Sequence, residues 1–290
     1  MEKVLVLGIN GMLGHVIFEK LINTKKFYVY GLKRSGIETD KKINCDVSDF
    51  VKVKSVLKEI KPSYVVNCIG VLVNHSEKNP TNSILINALF PNFLNDISEN
   101  LDFKLIHVST DCVFSGKKGS YRENDFKDEI NIYGLTKNLG EIKNKNNLTI
   151  RTSIIGPELK KNGTGLFHWL VSNNNSSVEG YNKAFWSGLT TVELSDFIIF
   201  SIHNNLSGLI HACNNEKINK FDLLNLIINE FSLNIKVFKN TKYKVDKSLI
   251  NTRVKNFKFQ PYKKMVTDLK TWIMMYKNPL YHQFYPDLFR

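Results

Sequence analysis

A glycine-rich loop directly after the first apolar segment constrains the fold of this chain more than any other feature. Residues 4–7 are apolar, and the seven residues that follow have the spacing G-x-x-G-x-x-G before a helical pattern begins. A strand, a tight glycine turn and a helix N-terminus favour a dinucleotide, because glycines let the backbone approach its pyrophosphate and free N–H groups attract the negative charge. A tight turn without a ligand is the alternative. The predicted cofactor contacts in this loop are Gly8, Asn10, Gly11, Met12, Leu13 and Gly14.

Short apolar segments alternate with longer amphipathic segments through the first half of the chain. Strands are predicted at residues 3–7, 27–32, 64–69, 104–108 and 148–152. Helices are predicted at residues 13–22, 51–60, 84–100 and 133–143. Apolar strands that alternate with helices indicate a parallel sheet covered on both faces. The predicted fold class is α/β, a Rossmann doubly wound parallel sheet with a smaller mixed α/β substrate-binding lobe.

The second half of the chain is less regular. Gly156-Pro157 interrupts the alternation, and a stretch rich in Asn, Ser and Gly follows at residues 162–180. An apolar segment at 192–202 and a strand at 209–212 indicate a return to the first domain, and a helix is predicted at 221–231. We therefore predict an NADP(H)-binding domain of residues 1–155 plus roughly 187–212. The substrate-binding lobe is predicted to comprise residues 156–186 and 213–290.

Net charge and cysteine content restrict the partners and the compartment. The formal charge is +13, which is compatible with a nucleic acid, a membrane surface, an anionic substrate or only a well-solvated surface. No nucleic-acid motif accompanies it, and we expect no nucleic-acid partner. The four cysteines form no C-x-x-C pair, no metal-ligand spacing occurs and no metal is predicted. With no signal peptide and no apolar run near about 20 residues, we expect a cytoplasmic protein without a membrane span. Assembly as a homodimer is left open.

The end of the second strand bears on the choice of cofactor. An acidic residue there binds the ribose 2′-hydroxyl of NAD, whereas a basic residue accommodates the 2′-phosphate of NADP. This chain has Lys33 and Arg34 at that position and no acid. The pair favours NADPH, with NADH as the other option. Asp46 and Val47, after the next strand, are predicted to contact the adenine.

A tyrosine and a lysine four residues apart form the candidate catalytic pair. Tyr133 and Lys137 lie on one face of a predicted helix, and a nearby ammonium is expected to lower the pKa of the phenol from about 10. Such a tyrosine can donate or accept a proton. Ser109 and Thr110 follow a predicted strand, and either hydroxyl can share a carbonyl oxygen with Tyr133. The same spacing also occurs by chance in helices.

At this point the sequence resembles the extended short-chain dehydrogenase/reductases, and within them the dTDP-4-dehydrorhamnose reductase family. The S-T-D-x-V-F-x-G string at residues 109–116 is the most specific motif. The resemblance covers most of the first 200 residues and thins out after about Ala212. The matching stretches are 8–14, 66–70, 107–116, 121–125, 133–137 with Glu141, 151–153 and 186–191.

The resemblance implies NADPH-dependent reduction of the C4 keto group of a nucleotide-linked 4-keto-6-deoxy hexose, in surface polysaccharide or O-antigen biosynthesis. Its partner is then a nucleotide-diphosphate sugar. The implied catalytic residues are Thr110, Tyr133 and Lys137, of which Tyr133 and Lys137 also contact the cofactor. Further cofactor contacts are implied for Cys68, Ile69 and Gly70. The implied substrate contacts are Thr110, Asp111, Cys112 and Trp186.

Two departures from the family pattern concern the sugar. Cys112 stands where the family has an aromatic residue, and Ile154 stands where a tryptophan is frequent. Both positions face substrate in the relatives, so a UDP-linked N-acetylated 4-keto-6-deoxy sugar is an option. Asp111-Cys112 after Thr110 argues against a 4,6-dehydratase, which has Asp-Glu there. The other hypotheses are a nucleotide-sugar epimerase and a non-catalytic NADP-binding regulatory subunit on the same fold.

Overall fold

The computed structural model describes residues 1–276 and 278–289, and a parallel sheet forms its centre. Seven strands follow the order β3-β2-β1-β4-β5-β6-β10, and every neighbouring pair is parallel. Order 3-2-1-4-5-6 is that of dinucleotide-binding domains, here extended by one strand. The strands of the described residues are β1 (Lys3–Leu7), β2 (Tyr28–Lys33), β3 (Lys42–Asn44), β4 (Tyr64–Asn67), β5 (Lys104–Thr110), β6 (Leu148–Thr152), β7 (Ile154–Ile155), β8 (Ser176–Trp186), β9 (Leu189–Thr190), β10 (Gly208–His211), β11 (Ile218–Asn219) and β12 (Ile235–Asp246).

Helices cover both faces of this sheet because its strands are apolar on both faces. Val4 and Val6 pack into one core with α1 and α8, whereas Leu5 and Leu7 pack into the other with α2 and α5. A π-helical segment (Ile84–Leu89) precedes α5, and 3₁₀ turns lie at Asp111–Val113 and Pro286–Phe289. The α-helices are α1 (Gly14–Thr24), α2 (Phe50–Ile60), α3 (Val73–Lys78), α4 (Pro80–Ser83), α5 (Phe90–Ser98), α6 (Ile132–Leu139), α7 (Leu166–Ser172), α8 (Thr191–His203), α9 (Lys220–Phe231), α10 (Tyr262–Met275) and α11 (Pro279–Phe284).

A second, smaller sheet is mixed. Its order is β11-β8-β12, with β11 antiparallel and β12 parallel to β8. The α/β class, the doubly wound parallel sheet and the smaller mixed sheet are confirmed. The division between domain and lobe at the residues given above stays a prediction. No α-helix of the described residues is long and apolar enough to cross a membrane.

Several element boundaries differ from those predicted. The helix expected at 84–100 begins as a π-helical segment and ends at Ser98, and the helix expected at 133–143 ends at Leu139. The polar stretch at 162–180, expected to be irregular, contains α7 and the first part of β8. Strand β12 was not predicted at all. Gly140 is the C-cap of the helix that ends at Leu139, and glycine disfavours continuation of a helix.

The C-terminal helix α11 is joined to the glycine loop through a buried histidine. His15 Nδ1 lies 2.7 Å from the Gly11 carbonyl oxygen, and His15 Nε2 lies 2.6 Å from the Tyr281 hydroxyl. Because a carbonyl oxygen only accepts, the Nδ1–H donates to Gly11. Burial lowers the pKa of His15 to about 4, so the ring is neutral at pH 7 and its Nε2 accepts a hydrogen bond from the Tyr281 hydroxyl. The far C-terminus thus supports the loop that begins α1.

This histidine generates a prediction for stability at low pH. The pKa of His15 is near 6.5 in the unfolded chain and about 4 in the folded protein. Between these two pH values the unfolded chain therefore binds one more proton than the folded protein. Stability is retained above pH 6.5 and falls with decreasing pH, by about 2 kcal/mol between pH 7 and pH 5 from this group. Urea unfolding at both pH values measures it.

The variant His15→Gln cannot titrate, so we expect it to lose less stability than the wild type over this interval. His75→Gln, which alters an exposed histidine, is the control and should keep the wild-type pH dependence. An unchanged loss in His15→Gln would contradict the account.

Candidate active site

A cavity of about 900 Å³ opens where the carboxyl ends of the central strands meet. This is the edge at which doubly wound sheets bind ligands, and the size is within the usual range for small-molecule sites. Residues after β1, β4 and β5 and residues of α6 and of the smaller lobe contribute to its wall. The predicted site residues that line it are Asn10, Gly11, Met12, Leu13, Arg34, Cys68, Ile69, Gly70, Thr110, Asp111, Cys112, Tyr133, Lys137 and Trp186.

The glycine loop forms one wall of this cavity. Gly8 has φ +88°, a conformation that favours glycine. A Cβ on Gly8 would lie 2.8 Å from Ile69 Cγ1. A Cβ on Gly14 would lie 2.0 Å from the Gly8 carbonyl oxygen, so only glycine fits there. No side chain caps the N-terminus of α1. The His15 N–H donates to the Gly11 carbonyl oxygen at 3.2 Å, and the positive end of the α1 dipole at the loop still favours an anion. Gly8 and Gly14 shape the loop, and residues 10–13 line the cavity.

The two basic residues after β2 have different surroundings. Lys33 is 7% exposed, and its ammonium donates a hydrogen bond to the Ile37 carbonyl oxygen. Arg34 is exposed and lines the cavity. Its charge also lowers the pKa of Asp46, after the larger effect of hydrogen bonds from Ser48. The structure thus brings Arg34 to the cavity, and the Lys33 ammonium is already engaged by the backbone.

The predicted adenine contacts lie beside this region without lining the cavity. Asp46 is exposed and accepts hydrogen bonds from the backbone and hydroxyl of Ser48, at 3.0 and 2.8 Å. Val47 is buried in the core under α2. The cavity wall does not include Asp46 or Val47, so their contact with a cofactor stays a prediction.

Tyr133 is positioned by a capped helix. The Asn131 side chain accepts a hydrogen bond from the Gly134 N–H at 2.8 Å and begins α6, which brings Tyr133 to the cavity in its first turn. Burial raises the pKa of Tyr133, and the neighbouring Thr110 side chain opposes that shift. The Ser109 hydroxyl donates to Glu141 at 2.9 Å. Thr110, rather than Ser109, is therefore the hydroxyl next to Tyr133.

The predicted effect of Lys137 on Tyr133 is wrong for this structure. The pKa of Tyr133 lies above its usual value because burial disfavours the phenolate, and the nearby Cys112 and Asp111 add to the effect. The Lys137 ammonium donates instead to the Val108 carbonyl oxygen of β5, at 2.8 Å. Burial lowers the pKa of Lys137 to about 8, and the charge of Glu141 opposes that shift. Lys137 is thus still cationic at neutral pH.

A buried asparagine fixes the loop opposite Lys137. Asn87 is fully buried in the π-helical segment, and its amide accepts from the Val71 N–H at 2.8 Å and donates to the Val71 carbonyl oxygen at 3.0 Å. It also donates to the Thr136 hydroxyl on α6, at 3.2 Å. The Asn87 side chain therefore joins the loop after β4 to the helix that bears Tyr133 and Lys137. These hydrogen bonds give Asn87 a structural role.

The remaining wall comes from the smaller lobe and contains residues that the sequence analysis missed. Trp186 is 3% exposed and lines the cavity with Cys112 and Ile154, the two positions that depart from the family pattern. Glu158 and Lys220 line it as well, and neither was predicted. Nothing in the local sequence distinguishes Lys220 from the other lysines. Within residues 1–276 and 278–289, no group of three His, Cys, Asp or Glu side chains is arranged to hold a metal ion.

The sheet order and the cavity at its carboxyl edge define a dinucleotide-binding fold of the Rossmann type, with Thr110, Tyr133 and Lys137 together at one site. The sequence matches the family of the RmlD substrate binding domain over residues 1–251. Because this match covers most of the chain, the protein belongs to that family. The resemblance inferred from the motifs is confirmed.

Individual relatives are more distant. Methionine adenosyltransferase 2 subunit beta of Xenopus laevis is 23% identical over 248 residues, which cover 80% of this chain and 73% of that protein. The dTDP-4-dehydrorhamnose reductase of Streptomyces griseus is 32% identical over 139 residues, which cover 47% of this chain and 43% of the reductase.

A solved structure has the same fold. It is the dTDP-4-dehydrorhamnose reductase of Bacillus anthracis in complex with NADP, with a TM-score of 0.79 and 22% identity. The superposition covers 93% of this chain and 98% of that one. At this identity the likeness establishes the fold alone.

Proposed function

We propose that this protein is an NADPH-dependent reductase of the C4 keto group of a nucleotide-linked 4-keto-6-deoxy hexose. The main support is the joint position of Thr110, Tyr133 and Lys137 in the cavity that the glycine loop also lines. The named reductase relatives support the substrate class, and the NADP complex of the Bacillus anthracis enzyme supports the cofactor. The spore coat polysaccharide biosynthesis protein SpsK of Bacillus subtilis, 33% identical over 163 residues, supports a role in polysaccharide synthesis.

The residues around the carbonyl have complementary roles in the proposed reaction. The nicotinamide supplies a hydride to C4 of the sugar when the cofactor is bound. Tyr133 donates the phenol proton to the C4 oxygen, and its raised pKa keeps that proton in place at neutral pH until the oxygen becomes basic. The Thr110 hydroxyl donates to Asp111 at 3.2 Å in this structure and would turn to donate to the same C4 oxygen when substrate is bound. Lys137 lines the same cavity with its ammonium held by the Val108 carbonyl oxygen, and it would bind the ribose of the cofactor.

The proton donor is tested by Tyr133→Phe. Removal of the hydroxyl deletes the acid but keeps the ring, so we expect kcat to fall by about 100- to 10,000-fold. The dissociation constant of NADPH should stay near the wild-type value. NADPH oxidation followed by absorbance measures the rate, and fluorescence titration measures cofactor binding.

Tyr28→Phe is the matched control, because Tyr28 is 51% exposed on β2 and does not line the cavity. Its kcat should equal that of the wild type. A Tyr133→Phe variant with wild-type turnover on an accepted substrate would exclude Tyr133 as the acid.

The preference for NADPH is assigned to Arg34. Its guanidinium lies at the cavity where the β2 end approaches the ribose in this fold, whereas the Lys33 ammonium is engaged by Ile37. A guanidinium suits a phosphate because its N–H groups match the phosphate oxygens.

The variants Arg34→Met and Lys33→Met test this assignment. Loss of a charged hydrogen bond is expected to raise the KM for NADPH by about 10- to 100-fold in Arg34→Met. The KM for NADH, which lacks the 2′-phosphate, should change little. Lys33→Met should leave the ratio of the two constants unchanged. If Lys33→Met alone erased the preference, the phosphate contact would belong to Lys33.

A second candidate function is a cofactor-binding subunit that catalyses no reaction. The observation in its favour is the alignment with a subunit of methionine adenosyltransferase, which covers more of this chain than the alignment with the Streptomyces reductase. The retained set of Thr110, Tyr133 and Lys137 favours the reductase, because a sensor does not need a proton donor at the carbonyl site. Tight NADPH binding without turnover of any 4-keto sugar nucleotide would favour the subunit.

A further inference from the structure

Lys220, a lysine of the smaller lobe, lies at the substrate end of the cavity. It begins α9 and contributes to the same wall as Tyr133 and Trp186. Its ammonium lies over the Trp186 ring, 5.0 Å from the ring centroid. Lysine side chains usually extend into water, and a contact with an aromatic face holds the ammonium at one place. The Trp186 ring therefore holds the Lys220 ammonium at a defined place in the cavity wall.

The Lys220 ammonium differs from those of Lys137 and Lys247, two further lysines near the site, in having no hydrogen-bond acceptor among the described residues. Lys137 donates to the Val108 carbonyl oxygen and Lys247 donates to Glu129, each at 2.8 Å. Throughout the described part of the chain, no atom accepts a hydrogen bond from the Lys220 ammonium. An ammonium has three N–H donors and gains from an acceptor when it is partly removed from water. These donors are available to a ligand in the cavity.

The charges around Lys220 indicate what kind of acceptor fits. The Asp111 carboxyl is 5% exposed and lines the cavity with Lys220, and Lys247 is paired with Glu129 at 2.8 Å. The positive charge of Lys220 is therefore accompanied by a carboxyl group in the same wall. A diphosphate bound beside Lys220 would be repelled by the Asp111 carboxylate. A neutral oxygen acceptor avoids that repulsion.

We propose that Lys220 selects the sugar of the substrate by donating a hydrogen bond to a neutral oxygen of a hexose ring substituent. This inference rests on the proposed function and identifies the part of the substrate that Lys220 contacts. The acceptor belongs to the sugar because Lys220 lines the cavity together with Asp111 and Cys112, which directly follow Thr110. Both a ring hydroxyl and the carbonyl oxygen of an acetamido group have this chemistry. A buried donor of this kind discriminates against substrates that lack the acceptor.

The test compares Lys220→Met with the wild type, because methionine retains the packing on Trp186 and removes the donor. Calorimetric binding of sugar nucleotides to the NADP-loaded protein gives the dissociation constants independently of turnover. We expect weaker binding of the accepted sugar nucleotide by about 10- to 100-fold, the loss for a charged hydrogen bond. In the kinetic assay, KM should rise with kcat nearly unchanged, since the proposed acceptor is a ring substituent and not the reacting carbonyl.

The matched control is Lys239→Met. Lys239 is exposed and its ammonium lies 5.1 Å from the centroid of the Phe221 ring, outside the cavity. This variant should bind every ligand as the wild type does. Titration with sugars that have a hydroxyl, an acetamido group or only hydrogen at C2 and C3 identifies the acceptor. The wild type and Lys220→Met should bind the sugar without the acceptor equally.

Two results would overturn the assignment. Unchanged binding of every sugar nucleotide to Lys220→Met would exclude the contact. Equal weakening of free UDP or dTDP would place Lys220 on the diphosphate instead. A wild-type protein that binds sugar nucleotides but never reduces them would refute the proposed reaction, while the binding comparison would still test Lys220.

Discussion

The close approach of Gly14 to the Gly8 carbonyl oxygen is the contact on which the rest of the site depends. A Cβ on Gly14 would lie 2.0 Å from that oxygen, so the helix can begin this close to the strand only with glycine. Helix α1 then packs against α8 on the sheet, and its His15 meets Tyr281 of α11. One tight turn thereby fixes the cofactor side of the cavity and the attachment of the C-terminal helix.

A buried ion pair supports the opposite side of the cavity. Arg151 of β6, 1% exposed, makes two hydrogen bonds to Glu141, at 2.6 and 2.8 Å. Ser109 and Lys127 donate to the same carboxylate, at 2.9 and 3.1 Å. Burial of these charges costs free energy that such complete pairing offsets. The result fixes the end of β5 relative to α6, and therefore Thr110 relative to Tyr133.

The sequence was most informative where local chemistry determines structure. The bounds of β1 and β6 match those predicted, because both strands are buried and regular. The glycine loop and the Tyr133–Lys137 pair were also found, since each depends on fixed spacing within one turn or helix. Strand β12 was missed because its many lysines and half-exposed surface conceal the alternation of a strand. Lys220 was missed because only the folding of the smaller lobe onto the sheet brings it to the cavity. The raised pKa of Tyr133 likewise results from burial by distant segments.

The central claim is that this cavity transfers a hydride from NADPH to C4 of a sugar nucleotide. The most direct measurement is transfer of deuterium from NADPH labelled at the nicotinamide C4, with 4-keto-6-deoxy sugars on dTDP and UDP as acceptors. The account predicts one deuterium at C4 of the product sugar, detected by NMR, for at least one of these substrates. The proposed reaction would be contradicted if the protein bound the labelled cofactor tightly but transferred no deuterium to any of these sugar nucleotides.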